Sequence, residues 1–156
     1  MPSILFVCTA NICRSPMAEA ILRDLLSQRA DAAQWTVCSA GTWGMDGYQA
    51  AFRARTALQK SGLSADHHTA RTVTRAMLQS SDLILTMEKN HQEALRLEFP
   101  QDAQRIFLLS EMLGGRFDIQ DPMGGSQVDF DGTLLELRTI LVKAMEIITQ
   151  KAMENA

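Results

Sequence analysis

The chain has 156 residues, with 15 Lys plus Arg against 18 Asp plus Glu and a formal charge of −3. That length suits a single domain, residues 1–156, able to bury roughly 70% of the surface its unfolded chain exposes, and the 46% apolar content excludes disorder as the dominant state. The small negative charge, with no Lys/Arg run of five or more, disfavours nucleic acid as a partner, and no segment is long and apolar enough to insert in a membrane.

In chain order, Ile4 to Val7 is a short apolar run suited to a buried strand. No basic residue precedes Arg14, so this run lacks the charged leader of a secretory signal, and a cytoplasmic location is expected. Pro16 to Arg29 places Ala20, Ile21, Leu25 and Leu26 on one helical face, with Ser15 as cap and Pro16 at the first helical position. A second strand is predicted over Trp35 to Ser39, and a helix over Gln49 to Lys60 closed by Gly62. Thr72 to Gln79 reads as helix, Leu83 to Thr86 as strand, Lys89 to Leu97 as helix and Ile106 to Leu109 as strand. Gly114 to Phe130, rich in glycine and aspartate, reads as a long functional loop. From about Leu134 the positions Leu137, Ile140, Leu141, Ala144, Ile147 and Ile148 recur at three and four, which predicts a long C-terminal helix. The alternation implies an α/β three-layer sandwich with a four-stranded parallel sheet, flavodoxin-like or Rossmann-like.

The segment Val7-Cys8-Thr9-Ala10-Asn11-Ile12-Cys13-Arg14-Ser15-Pro16 joins the first strand to the first helix, where ligands of open α/β folds bind. Backbone N–H groups of such a turn, here from Thr9, Ala10, Asn11, Ile12, Cys13, Arg14 and Ser15, can converge on a phosphate, reinforced by the helix start. A cysteine at the loop's mouth has its thiolate stabilised by the same donors, which makes Cys8 the candidate nucleophile. Arg14 offers a planar fork matched to two phosphoryl oxygens, and Ser15 a hydroxyl for the sulfur. Asn11 reads as a turn residue or loop brace, and Ser39 as a cap or brace. Cys8, Cys13 and Cys38 do not form a disulfide framework, and their spacing is poor for zinc, so no metal site is expected.

Cys8 to Ser15 resembles the Cys-x5-Arg-Ser signature of low-molecular-weight protein tyrosine phosphatases of the bacterial type, and Asn11, Cys13 and Pro16 also match. Ser39-Ala40-Gly41-Thr42, His68-Thr69-Ala70-Arg71 and Asp121-Pro122 extend the resemblance over most of the chain. Two positions depart from the pattern: Ala10, where the family usually has glycine, and Met123, where many members carry tyrosine. The resemblance implies that Asp121 is the general acid, protonating the leaving oxygen and later activating water. Asp118 and Asp129 are rivals in the same loop, but neither precedes a proline. It also implies that Cys13 is a redox partner forming a reversible disulfide with Cys8, and that His68 supports the phosphate loop through Asn11. No role is assigned to His67 or His91.

Trp43 and Met123 are expected at the substrate mouth, with Tyr48 a further aromatic after the second strand. Arg53, Arg55, Arg71 and Arg75 read as solvated faces. The leading function is hydrolysis of phosphotyrosine through a cysteinyl-phosphate intermediate, without metal or other cofactor. Protein-arginine phosphatase is an alternative, since threonine before the second loop cysteine tends to mark that specificity in the resembling family; here the residue is Ile12. A thiol-dependent arsenate reductase is a further alternative; its thioredoxin-coupled type needs resolving cysteines downstream, and none follows Cys38. An FMN-binding electron carrier would want hydroxyl-rich phosphate contacts in place of Cys8 and Arg14. The expected partners are a phosphotyrosine-containing protein substrate and a tyrosine kinase, with the chain a monomer or weak dimer.

Overall fold

A computed structural model describes residues 1–156. Four strands, β1 (Ser3–Cys8), β2 (Thr36–Gly41), β3 (Leu83–Thr86) and β4 (Ile106–Leu108), form one parallel sheet in the order β2-β1-β3-β4. The period of two along β1 divides its side chains between two cores. Ile4, Phe6 and Cys8 face a cluster with Ile21, Leu22, Leu137 and Leu141, whereas Leu5 and Val7 face Leu78, Leu95 and Phe99. Helices α1 (Arg14–Ser27), α2 (Phe52–Lys60) and α5 (Gln127–Asn155) cover the first face, and α3 (Arg75–Gln79) and α4 (Lys89–Glu98) the second. The three-layer parallel architecture is the one expected. With β1 central, its carboxyl end lies beside those of β2 and β3, where Cys8 pairs with Gly41 and Val7 with Thr86.

Several boundaries differ from the predicted ones for identifiable reasons. Ser15 does not cap α1: the helix starts at Arg14, Cys13 occupies the cap position without a side-chain hydrogen bond, and Ser15 turns inward instead. The N–H groups of the helix start are thereby left uncapped. The second strand runs two residues past Ser39 to Gly41. Helix α2 begins only at Phe52 and is followed by Gly62 at φ 75°, while α3 begins at Arg75, after Thr74 accepts from the Met77 N–H. The largest difference is α5. It starts at Gln127 because Ser126 and Asp129 form a reciprocal capping box. The predicted loop to Phe130 therefore stops at Ser126, and Asp129 belongs to a helix cap.

Candidate active site

The loop from Cys8 to Ser15 has its carbonyls turned outward. The Cys8 carbonyl accepts from Thr42 N–H (2.8 Å), Thr9 from Trp43 (2.9 Å), Ala10 from Met45 (3.0 Å) and Ile12 from Ala51 (2.8 Å). The Asn11 carbonyl meets His68 Nε2 at 2.7 Å. The backbone N–H groups of Thr9 through Ser15 make no hydrogen bond within the protein. A planar peptide that sends its carbonyl one way sends its N–H the other, so these donors face the loop's centre, the geometry of an anion cradle. Gly41 permits it: a Cβ there would lie 2.2 Å from the Thr9 carbonyl oxygen. Ala10 needs no such freedom, because Asn11, at φ 61°, is the only non-glycine residue with positive φ.

Asn11 is fully buried and organises the loop from inside. Its Oδ1 accepts from the Arg71 N–H at 3.0 Å, which directs Nδ2 to Ser15 Oγ (2.8 Å) and Ser39 Oγ (3.0 Å). Because Ser15 Oγ accepts there, its own hydrogen is available to Cys8 Sγ at 2.9 Å. Ser39 in turn donates to Glu19 Oε2 at 2.5 Å. The expected braces Ser39 and His68 thus both converge on Asn11. Arg71 is exposed, as expected of a solvated face, but it is also tied to the loop: besides its N–H to Asn11, its guanidinium Nε donates to the Ser39 carbonyl at 3.1 Å. Asn11→Ala should destabilise the protein by about 3 kcal/mol or more, since it strands several buried polar groups and forces alanine into left-handed backbone. Chemical denaturation measures this, and a loss below about 1 kcal/mol would contradict the brace.

Arg14 is buried, and one arm of its fork is already spoken for. Nη1 donates to Glu88 Oε2 at 2.6 Å and to the Ile119 carbonyl at 2.7 Å. Nη2 lies 3.4 Å from Thr9 Oγ1 and 3.6 Å from Asp121 Oδ2, so the other edge is the one available to an oxyanion. Asp121 is half exposed, and its Oδ1 accepts from the Met123 N–H at 3.0 Å. Its rivals have structural duties instead: Asp118 accepts from the Lys89 N–H at the start of α4, and Asp129 caps α5.

Two site residues escape the sequence reading, Glu88 and His91. His91 is buried; its Nδ1 accepts from the Glu88 N–H at 3.1 Å, and Nε2 meets Thr9 Oγ1 at 2.8 Å. Burial, and then the charge of Arg14, push its pKa down to about 4. The signal for both was the stretch Glu88-x-x-His91 directly after a strand end, a reciprocal cap made with histidine where glutamate or glutamine is usual.

Burial, then the charge of Asp121, push the Cys13 thiol up to about 12, so it keeps its proton at neutral pH. Trp43 and Tyr48 are exposed, as is Met123, and the Trp43 backbone is tied to the loop at Thr9. Arg53, Arg55 and Arg75 bond the Gly125 carbonyl, the Ala50 carbonyl and Gln101 respectively, away from the loop. No cluster of three or more His, Cys, Asp or Glu side chains has the arrangement of a metal site, and no helix is long and apolar enough to cross a membrane.

The family model for low molecular weight phosphotyrosine protein phosphatase matches residues 3–154. The low molecular weight protein-tyrosine-phosphatase Ptp of Acinetobacter johnsonii is 36% identical over 137 residues, covering 88% of this chain and 91% of its own length. A protein-arginine-phosphatase of Bacillus subtilis is 32% identical over 139 residues, with 88% and 91% covered. Among solved structures, the YwlE arginine phosphatase as a Cys-to-Ser mutant with phosphorylated active site serine superposes with a TM-score of 0.87 at 31% identity, covering 93% of this chain and 95% of that one.

Proposed function

The chain belongs to the low molecular weight phosphotyrosine protein phosphatase family and is a phosphatase, and from that premise we propose that it hydrolyses phosphotyrosine in proteins through a phosphate ester of Cys8. The observation that carries this reading is the ring of unengaged N–H groups from Thr9 to Ser15 around Cys8, with the carbonyls held outward. In the first step the Cys8 thiolate attacks phosphorus, the bond to the phenolic oxygen breaks, and Asp121 gives its proton to that oxygen. The cradle and the free edge of Arg14 hold the equatorial oxygens as charge builds on them. In the second step Asp121, now a carboxylate, takes a proton from water as the water oxygen attacks phosphorus. The sulfur–phosphorus bond breaks, and the Ser15 hydroxyl steadies the departing thiolate. Each charge is met by a group of the chain itself, so the steps call on no cofactor or metal.

The phosphoryl donor follows from the mouth. Ile12 is apolar and largely buried, so at this loop position the chain has no side-chain hydrogen bond to give a guanidinium. In this reading Trp43 and Met123 form the rim against which the ring lies, the protein acts in the cytoplasm as a monomer or weak dimer, and its substrates come from a tyrosine kinase. The relation to a protein-arginine-phosphatase makes the decisive experiment a comparison of phosphotyrosine and phosphoarginine peptides in the presence of a chelator. Turnover of the phosphotyrosine peptide is expected to persist and exceed that of phosphoarginine at least about tenfold, roughly what one net hydrogen bond is worth. The opposite ranking would overturn the assignment.

Cys13 enters this reading with its proton held firmly. Trapping an oxidised Cys8 as a disulfide would therefore call for local opening of the loop to free a thiolate.

A further inference from the structure

The hydrogen bonds around Thr9 fix where its hydroxyl hydrogen goes. A backbone N–H can only donate, so His91 Nδ1, which meets the Glu88 N–H at 3.1 Å, carries a lone pair. The ring's proton then sits on Nε2, and that N–H donates to Thr9 Oγ1 at 2.8 Å. The other neighbour of this oxygen is Arg14 Nη2 at 3.4 Å, again a donor only. Thr9 Oγ1 is thus flanked by donors, and no acceptor of the protein stands within hydrogen-bond distance of it. Thr9 itself is exposed at the mouth, directly after Cys8.

We propose that the Thr9 hydroxyl is a side-chain donor to the bound oxyanion, aimed by His91, and that His91 is therefore a positioning residue for the phosphate cradle. The inference rests on the phosphatase reading and extends it: the cradle gains a side-chain donor beside the backbone ring, next to the free edge of Arg14. His91 does this work from 82 residues away in sequence, because α4 begins at the carboxyl end of β3, which pairs with β1. The same imidazole holds the helix start at Glu88, whose carboxylate anchors the other arm of Arg14. One buried ring thereby sets both the threonine and the arginine that face the oxyanion.

Vanadate serves as the probe, its affinity measured directly by calorimetry, so that binding is read apart from turnover. Thr9→Val removes the hydroxyl at nearly constant shape and should weaken vanadate about tenfold, as expected for a lost hydrogen bond to a charged group, whereas Thr9→Ser should restore most of the loss. His91→Asn keeps an acceptor near the Nδ1 position for the Glu88 N–H but cannot reach Thr9, and should weaken binding about threefold to fivefold. In the Thr9→Val background the same substitution should cost almost nothing. A purely structural role for His91 would instead give additive losses, and additivity would overturn the proposal. So would Thr9→Val binding as tightly as wild type. If His91→Asn fails to fold, nitrogen-15 spectra of the wild-type ring decide the same point: protonation at Nδ1 in place of Nε2 around neutral pH would remove the argument. Wild-type protein that binds no vanadate would instead overturn the phosphate-loop reading itself, a result separable from all of these.

Discussion

Cys8→Ser is expected to abolish turnover of phosphotyrosine, with kcat falling on the order of 10⁴-fold or more, while binding of inorganic oxyanions stays within a small factor of wild type. The two halves of this result test different parts of the site. In the proposed mechanism nucleophilicity resides in the sulfur: a serine hydroxyl is ionised far less readily at neutral pH, and here it would face the Ser15 hydroxyl with no base in contact. Affinity resides in the backbone donors from Thr9 to Ser15 and in Arg14. None of these moves when one atom is exchanged, because the outward carbonyls of the loop are held by the segment that follows β2, from Thr42 to Ala51, and by His68. Calorimetry with phosphate alongside single-turnover kinetics separates the two. Turnover near wild type would end the nucleophile assignment, and loss of oxyanion binding would mean that the cradle depends on the thiolate itself.

The second large effect concerns Asp121. Asp121→Asn keeps the side chain's shape and its contact to the Met123 N–H but removes the transferable proton. Phosphotyrosine turnover should fall by about 10²- to 10⁴-fold, the usual worth of a positioned general acid. An activated aryl phosphate, whose leaving group needs no proton, should suffer far less. The structure supplies the controls. Asp118→Asn retains an oxygen for the Lys89 N–H, and Asp129→Asn retains one for the cap of α5, so both should stay within a few-fold of wild type. If either control showed the larger, leaving-group-dependent loss, the acid would be misassigned even with Cys8 secure.

Much of this arrangement was legible in the residues. Short apolar strands alternating with amphipathic helices specify a parallel sheet, and Cys8, Arg14 and Ser15 between the first strand and helix already describe an anion loop. The rest failed for local reasons. Ser15-Pro16 has the form of a helix cap, yet the serine turns inward to bond Asn11 and the Cys8 sulfur. Val128 is exposed and Gly132 breaks the pattern, so the first turn of α5 carried no helical period; the capping box of Ser126 and Asp129 was the overlooked sign. Glu88 and His91 lie far along the chain from Arg14 and Thr9, and only the pairing of β1 with β3 brings them together. Side-chain partnerships across a crossover leave no mark in spacing. The same holds for Arg71, whose backbone N–H does the bracing and is invisible to any reading of residue type.

The span of Arg14's contacts carries a consequence for how the molecule is made. Its guanidinium bonds a carboxylate 74 residues onward and a carbonyl 105 residues onward, and α1 packs on α5, the last element of the chain. During synthesis the loop with Cys8 emerges before the groups that bond Arg14, and before Asp121, the proposed acid. Closing loops of such length is entropically costly until the intervening strands have paired. A nascent or truncated chain ending before Ile119 therefore displays the loop with Cys8 while Arg14 lacks one of its anchors. Activity appears as a property of the finished fold, in step with the docking of α5, and progressively lengthened ribosome-bound chains should acquire it in one late step.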